Sequence, residues 1–141
     1  MFKSKSAPLI AAENENEFID TELIVNEYQK IIQSSDCTIL DGDGGLLSPI
    51  SSNYQVSDLI KRMQIPVLFV VQPKEESIND ALLAIYTAQE KGIEVRGVVI
   101  NNIKEDCPKE MLTAITRVIE EYSNIKILGL IPNMGVKARP E

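Results

Sequence analysis

The sequence predicts an α/β fold: a three-layer, doubly wound and mostly parallel sheet formed by a single domain over residues 1–141. Two observations support this prediction. Short runs rich in β-branched residues are almost continuously apolar, as strands are when helices cover both of their faces. Segments of helical period separate these runs, which gives the order α-β-α-β-α-β-α-β and implies right-handed crossovers between parallel strands.

The first half of the chain contributes two helices and two strands. Thr21–Gln33 has its apolar residues on one stripe, and Asp20 or Thr21 is available as its N-cap. The apolar run Cys37–Leu40 predicts the first strand. Val56–Met63 has a shorter helical pattern, and Val67–Val71 predicts the second strand.

The second half repeats this alternation. Ser77 is placed to cap a third helix, and Gly92 follows that helix as a left-handed stop. Val95–Ile100 predicts the third strand. A fourth helix begins near Pro108, whose missing N–H is harmless in a first turn, and Ile125–Ile131 predicts the fourth strand.

The composition excludes several classes of function. The chain has 14 basic and 21 acidic residues, a net charge of −7, and no histidine. Histidine-dependent triads and histidine-ligated zinc are therefore excluded, and the negative charge disfavours nucleic acid and anionic membranes as partners. Cys37 and Cys107 form no CxxC motif and are predicted to be buried thiols. The absence of a long apolar run predicts a cytoplasmic protein.

Candidate binding residues follow the strands, because ligands of such folds bind outside the carboxyl ends of the sheet. The segment Asp41–Ile50 (DGDGGLLSPI) has three glycines that let the backbone approach a ligand and carboxylates suited to Mg²⁺, although it also fits a tight turn. The helix start at Ser77 can attract an anion or can simply be capped. Asn101 and Asn102 can bind a base edge or close a turn. Pro132–Gly135 is by itself an ordinary loop.

The segment Asp41–Ile50 resembles the E-G-A-G-G-x-x-x-P loop of dethiobiotin synthetases. Upstream, Ala7–Ala12 (APLIAA) resembles the S-P-H-x-A-A segment of that family. Further matches follow in order and spacing, so that the resemblance covers about residues 7–134: Ser77–Leu83, Gly92–Ile93, Gly97–Asn102 and Leu128–Pro132.

This resemblance implies a fold similar to P-loop nucleotide-binding proteins and a role in biotin biosynthesis. In that family, a carbamate formed from CO₂ and 7,8-diaminononanoate is phosphorylated by ATP with Mg²⁺, and the second amine then closes the ureido ring. By motif position, Asp41 is the implied catalytic and magnesium-binding carboxylate. The other implied site residues are Gly42, Gly44 and Gly45 for phosphate and substrate, Ser77, Ile78 and Asn79 for the diamine across a homodimer interface, and Asn101, Pro132 and Asn133 for the nucleotide.

The sequence departs from the family pattern in two ways. Asp43, Leu9 and Glu76 replace a small neutral residue, a histidine and a glycine, respectively, and add charge or bulk near the implied substrate site. None of the seven glycines precedes a lysine, so the 141 residues contain no GxxxxGK[ST] motif. We therefore expect that the phosphate-binding, N-terminal part of the family fold is not included. The sheet should then expose hydrophobic surface or an open edge.

Three functional hypotheses follow. In the first, the chain acts with a separate P-loop-bearing chain and is inactive alone. In the second, it is a non-catalytic homologue that retains a dimer scaffold. In the third, it is a relative of the amidotransferase-type cobyrinate synthases. The matches at Ser77–Leu83 and Asn101 favour the dethiobiotin synthetase family over the last of these.

Overall fold

The computed structural model describes residues 7–42 and 44–134, which belong to two compact units, Met1–Ile65 and Pro66–Glu141. The single domain over residues 1–141 stays a prediction. Asp43 and Gly135, which the sequence places in two candidate loops, lie outside the described residues.

The first unit contains three helices and a short hairpin. They are α1 (Pro8–Asn14), α2 (Thr21–Gln33), the antiparallel strands β1 (Pro49–Ser51) and β2 (Tyr54–Gln55), and α3 (Val56–Met63). The bounds of α2 and α3 confirm the sequence prediction. Of the two predicted caps of α2, Asp20 takes this role, because its Oδ1 accepts the Leu23 N–H at 3.1 Å. Neither α1 nor the hairpin was predicted.

The core of this unit is small. Its buried apolar residues are Ala11, Ala12, Ile50 and Met63, and α2 buries none of its own residues. At the surface, the Arg62 guanidinium on α3 pairs with both carboxylate oxygens of Glu22 on α2, and this hydrogen bonding raises the pKa of Arg62 above its ordinary value. An exposed pair of this kind adds little stability, so the unit depends on a few aliphatic contacts.

The predicted strand Cys37–Leu40 is wrong, because these residues form an irregular segment. Ile39 is 88% exposed and Leu40 is also exposed. A strand needs a neighbour to satisfy its backbone groups, and the strands described in this unit pair only with each other. The segment therefore has the apolar sequence of a buried strand without the partner that would bury it.

The prediction of two buried thiols is also wrong. Cys37 is exposed in the irregular segment, and Cys107 is half-buried between β4 (Val95–Ile103) and α5 (Lys109–Ser123) of the second unit. Cys37 is exposed for the same reason as its neighbours, since the strand that would have buried it does not form.

The second unit is an α/β sheet with flanking helices, which confirms the predicted fold class. It runs β3 (Val67–Val71), α4 (Glu76–Glu90), β4, α5 and β5 (Ile127–Pro132). The three strands are parallel and lie in the order β3-β4-β5. The last two strands differ slightly from their predicted bounds. β4 extends to Ile103 and so includes Asn101, and β5 starts and ends later than predicted.

Both helices of this unit pack on one face of the sheet. The shared core consists of Val71, Ala81, Ile85, Val98, Ile100, Ile115 and Ile119. Burial of these aliphatic side chains is the main stabilising term for the unit. Two polar contacts also join the helices: the Tyr86 hydroxyl donates to the Tyr122 carbonyl at 2.6 Å, and Gln89 donates to the Ser123 carbonyl at 3.3 Å.

The ends of α4 show one confirmed prediction and one correction. Gly92 has φ +69°, its N–H donates to the Gln89 carbonyl at 2.9 Å, and the Ile93 N–H donates to the Ala88 carbonyl at 2.8 Å. This is a Schellman motif, so Gly92 is the predicted left-handed stop. Ser77 does not cap the helix, because α4 begins one residue before it, at Glu76. Pro108 is itself the N-cap residue of α5 rather than its first helical residue.

The opposite face of the sheet carries exposed apolar side chains. Leu68 is 50% exposed and Val70 is 62% exposed on β3, and Leu128 is exposed on β5. Side chains alternate between the two faces of a strand, so these residues point away from α4 and α5. Among the described residues, this face of the sheet therefore presents exposed apolar side chains. None of the helices formed by the described residues is long and apolar enough to cross a membrane.

Candidate functional site

Ser48 organises the glycine-rich loop of the first unit. The Gly45 N–H donates to Ser48 Oγ at 3.0 Å, and the Ser48 N–H donates back to the Gly45 carbonyl at 2.9 Å. These reciprocal bonds close a tight turn over residues 45–48. Ser48 was not among the predicted site residues, although a serine three residues after a glycine pair is a recognisable turn signal.

Of the described glycines in this loop, one requires glycine for conformational reasons. Gly44 has φ +90°, and a Cβ there would lie 2.5 Å from Ser48 Oγ. At Gly42 and Gly45 a Cβ would have no atom within 4 Å, and neither residue has a positive φ. The proposed close approach of a ligand to Gly42 and Gly45 is therefore sterically open, whereas Gly44 serves the turn itself.

The loop is attached to the start of α3. The Ser57 N–H donates to the Leu46 carbonyl at 2.8 Å, and the Val56 N–H donates to the Ser48 carbonyl at 3.0 Å. These bonds use two backbone donors at the helix N-terminus that would otherwise lack intrahelical acceptors. The Ser57 side chain is fully buried, and its Oγ has no hydrogen-bond partner among the described residues. The second half of the loop is thus held in place by the backbone of α3.

Asp41 is an exposed carboxylate in the irregular segment before Gly42. Among residues 7–42 and 44–134, no group of three or more acidic or cysteine side chains is arranged to hold a metal ion. Mg²⁺ is commonly bound through one or two carboxylates, with water and substrate phosphates completing the shell. The donor set at Asp41 therefore fits Mg²⁺ only when a nucleotide supplies further oxygens.

The implied nucleotide-binding residues of the second unit lie at neighbouring strand ends. Asn101 is half-buried near the end of β4, and Ile103 of the same strand lies opposite Pro132 of β5. The Asn133 N–H donates to the Ile103 carbonyl at 2.8 Å, which continues the pairing just beyond β5. Asn102 has φ +64°, a left-handed conformation that asparagine tolerates. The structure thus brings Asn101, Pro132 and Asn133 to one edge of the sheet.

The three implied diamine-binding residues lie in the first turn of α4, and their surroundings differ. The N–H groups of Ser77 and Ile78 donate to the carbonyls of Lys74 and Glu75, both at 3.1 Å. Ile78 also packs against the core, so its side chain has a structural role. Asn79 is exposed. The helix start is therefore less available to an anion than its sequence indicates, and Asn79 is the most accessible of the three.

A shallow cavity of about 260 Å³ lies between β3 and the first half of α4. Ser77 and Asp80 supply polar lining, and the small residues Ala81 and Ala84 form part of its wall. A larger depression of about 430 Å³ lies beside α5 and Leu130, away from the implied site residues. Of these two, the cavity beside β3 is the one that is lined by an implied site residue, Ser77.

The sequence matches a protein family described as an AAA domain over residues 1–140. It is also similar to curated proteins from several bacteria and an archaeon. The ATP-dependent dethiobiotin synthetase BioD of Bacillus subtilis is 31% identical over 134 residues, which are 95% of this chain and 58% of that protein.

Two further relatives with the same name give a similar result. BioD of Bacillus licheniformis is 34% identical over 134 residues, 95% of this chain and 57% of that protein. BioD of Akkermansia muciniphila is 32% identical over 127 residues, 90% of this chain and 59% of that protein. The chain therefore spans a little under three fifths of the length of these relatives.

Proposed function

We propose that the chain, which belongs to the family of AAA-domain proteins that its sequence matches over residues 1–140, is a dethiobiotin synthetase homologue and takes part in the ATP-dependent carboxylation and ring closure of 7,8-diaminononanoate. The observation that carries this proposal is the position of Asn101 and Pro132 at neighbouring strand ends, within a match that covers 95% of the chain. The carboxyl edge of a parallel sheet is where such folds bind nucleotides.

The proposed reaction needs three functions from protein groups. One is to hold the adenine base, which we assign to Asn101 with Pro132 and Asn133. Another is to position the diamine, which we assign to the start of α4, chiefly to Ser77 and Asn79. The third is to hold the reacting phosphate, and the 141 residues contain no GxxxxGK[ST] motif for this purpose.

We assign the phosphate-binding function to a separate P-loop-bearing chain. Phosphoryl transfer depends on positioning and charge stabilisation by the backbone N–H groups and lysine of such a loop. In this proposal Asp41 would hold Mg²⁺, and the ion, when bound, would supply positive charge at the transferred phosphoryl group. Gly42 and Gly45 allow close approach of phosphate and substrate, because no atom lies within 4 Å of the position that a Cβ would take at either residue.

The proposed reaction has three bond-forming steps. One amine of the substrate first adds to the carbon of CO₂ and loses a proton, which gives the carbamate. The carbamate oxygen attacks the γ-phosphorus of ATP and releases ADP. The second amine then attacks the carbonyl carbon of the carbamic-phosphoric anhydride, phosphate leaves, and the amine loses a proton. We further propose that the assembly is cytoplasmic and contains two copies of this chain. In it, the exposed start of α4 contributes to the substrate site of the partner protomer.

Reconstitution tests this function. The full chain is mixed with a fragment of a dethiobiotin synthetase that contains the GxxxxGK[ST] loop and the strand before it, the P-loop fragment. ATP, Mg²⁺, bicarbonate and 7,8-diaminononanoate are added, and dethiobiotin is measured by mass spectrometry. We expect product from the mixture and none from either chain alone.

A matched pair of variants separates catalysis from folding. Asp41→Asn removes the proposed metal-linked charge, and Asp36→Asn removes another exposed charge from the segment between α2 and β1. We expect Asp41→Asn to abolish product formation and Asp36→Asn to leave it unchanged. Equal activity of both variants would reject the role of Asp41, and an inactive mixture that still binds ATP would favour the non-catalytic homologue.

A further inference from the structure

The pairing of β4 with β5 is irregular near the start of β5. Val98 of β4 lies opposite Ile127, whereas the next residue of β4, Val99, lies opposite Gly129. Leu128 is therefore an extra residue on β5 and forms a β-bulge. This first bulge shifts the register of the two strands by one residue.

Gly97 of β4 provides the space for the first bulge. A Cβ on Gly97 would lie 2.4 Å from the Leu128 side chain and 3.0 Å from the Lys126 carbonyl oxygen. Gly97 is buried and its φ is not positive, so glycine is needed here for space and not for its backbone conformation. The first bulge is therefore built into the packing of the two strands.

A second bulge lies in β4, near the carboxyl edge of the sheet. Ile100 lies opposite Leu130, and Ile103 lies opposite Pro132, so three steps along β4 correspond to two steps along β5. Asn102, within this stretch, has φ +64°, a left-handed conformation that a regular strand does not contain. The second bulge therefore reverses the shift that the first one introduces.

The directions of the side chains agree with both bulges. In a regular strand, residues that share a face are two positions apart. On β4, the residues that contact the helix-covered core are Val98, Ile100 and Ile103, so the last spacing is three. On β5, Ile127 packs against this core and Leu130 lines the depression beside α5, which is again a spacing of three. Each strand therefore keeps apolar residues on the helix-covered face on both sides of its bulge.

The second bulge determines how the implied nucleotide residues are aligned. The Asn133 N–H donates to the Ile103 carbonyl at 2.8 Å, so pairing resumes directly after the bulge. Without the extra residue in β4, Asn102 would lie opposite Pro132 and would replace Ile103 against the core. Burial of its carboxamide among aliphatic side chains is unfavourable. The bulge therefore sets the offset along the edge between Asn101 and Pro132.

We propose that Asn102 is a positioning residue for nucleotide binding, which acts through its left-handed backbone and not through contact of its side chain with the base. Its bulge holds Asn101 of β4 at the offset from Pro132 of β5 that binding of the base requires. This inference rests on the proposed function and adds the feature of the sheet that aligns these two residues. Leu128, in the space at Gly97, creates the shift that Asn102 reverses.

Two substitutions at one position separate the backbone of Asn102 from its side chain. Both remove the carboxamide, but glycine accepts a positive φ and β-branched valine strongly disfavours it. ATP affinity is measured by calorimetry of each chain mixed with the P-loop fragment. We expect Asn102→Gly to stay within about twofold of the native chain. We expect Asn102→Val to bind ATP roughly tenfold more weakly, because Asn101 then loses its hydrogen bond with the base.

A double variant tests whether Asn102 acts through Asn101. The variant with both Asn101→Ala and Asn102→Val should bind ATP within about threefold of Asn101→Ala alone, because the group that Asn102 positions is already absent.

Amide hydrogen exchange measured by NMR on the chain alone tests the register. We expect the Asn133 amide to exchange roughly tenfold faster or more in Asn102→Val than in the native chain, and to be unchanged in Asn102→Gly. The control is the Val98 amide, which donates to the Lys126 carbonyl at 3.0 Å before either bulge and should keep its exchange rate. If circular dichroism shows that Asn102→Val does not fold, Asn102→Ala replaces it, with expected changes of roughly threefold, because alanine disfavours a positive φ less strongly.

Three outcomes would overturn the proposal. Unchanged exchange of the Asn133 amide in Asn102→Val would show that Asn102 does not set the register. Equal ATP affinities of Asn102→Gly and Asn102→Val would show that the backbone conformation has no role in binding. An undiminished effect of Asn102→Val in the Asn101→Ala background would show that the substitution does not act through Asn101.

The two proposals fail in distinguishable ways. ATP binding by the native mixture, together with any of these three outcomes, would reject the positioning role and leave the proposed function intact. A native mixture that binds no ATP would reject the proposed function and the positioning role with it, whatever the exchange rates show.

Discussion

Replacement of Gly44 by alanine tests the structure of the glycine-rich loop. The backbone of Gly44 has φ +90°, and the new Cβ would lie 2.5 Å from Ser48 Oγ and 3.3 Å from Ser48 Cβ. A non-glycine residue in this conformation costs about 1–3 kcal/mol. Displacing Ser48 Oγ also loses its hydrogen bond from the Gly45 N–H, worth about 0.5–1.5 kcal/mol. We therefore expect Gly44→Ala to lower the free energy of unfolding by about 2–4 kcal/mol.

The assay is urea unfolding followed by circular dichroism, with Gly45→Ala as the matched control. Gly45 has open space around it and no positive φ, so alanine there should be neutral or should stabilise by up to about 1 kcal/mol through the unfolded state. The double variant Gly44→Ala, Ser48→Ala removes the closest contact and should recover part of the loss, while the backbone cost remains. Equal unfolding free energies for Gly44→Ala and Gly45→Ala would refute this explanation of the loop.

Three further substitutions have defined outcomes. Gly97→Ala places a Cβ 2.4 Å from the Leu128 side chain, so we expect it to lower the free energy of unfolding by about 1–2 kcal/mol, measured by urea unfolding. No loss of stability would show that the Leu128 side chain moves freely. Ser57→Ala removes a buried hydroxyl without a partner among the described residues and should leave stability unchanged or raise it by up to about 1 kcal/mol, whereas a clear loss in the same assay would reveal a bond that this hydroxyl makes. Asn101→Ala should weaken ATP binding by roughly tenfold, measured by calorimetry of the chain mixed with the P-loop fragment. The control Asn26→Ala, on the exposed surface of α2, should leave ATP binding unchanged. Equal ATP affinities of the two variants would remove Asn101 from the site.

Features determined by short stretches of sequence were predicted well. Asp20 caps α2 and Gly92 ends α4 because each satisfies backbone groups within a few residues. The strand Val67–Val71 and the helix Val56–Met63 have the bounds that their patterns indicate. Helix α1 and the β1–β2 hairpin were missed, because a seven-residue helix and strands of three and two residues have too few residues to show a period.

Features that depend on distant partners were predicted less well. Cys37–Leu40 has the composition of a buried strand, but composition does not supply the neighbouring strand that burial requires. Ser77 has the residue type of an N-cap, yet α4 already begins at Glu76. The N–H groups of Ser77 and Ile78 donate to the carbonyls of Lys74 and Glu75. The candidate site shows the same division. The position of Asn101 and Pro132 at neighbouring strand ends follows from strand order. The role of Ser48 depends on its hydrogen bonds with Gly45, of which the sequence indicates only a turn.

The direct test of the central claim is dethiobiotin formation by the full chain together with the P-loop fragment, ATP, Mg²⁺, bicarbonate and 7,8-diaminononanoate. We predict ATP-dependent product in the mixture, none from either chain alone, and none when Asp41→Asn replaces the native chain. Product from the 141-residue chain alone, or a stable complex with the fragment that forms no product, would contradict the claim.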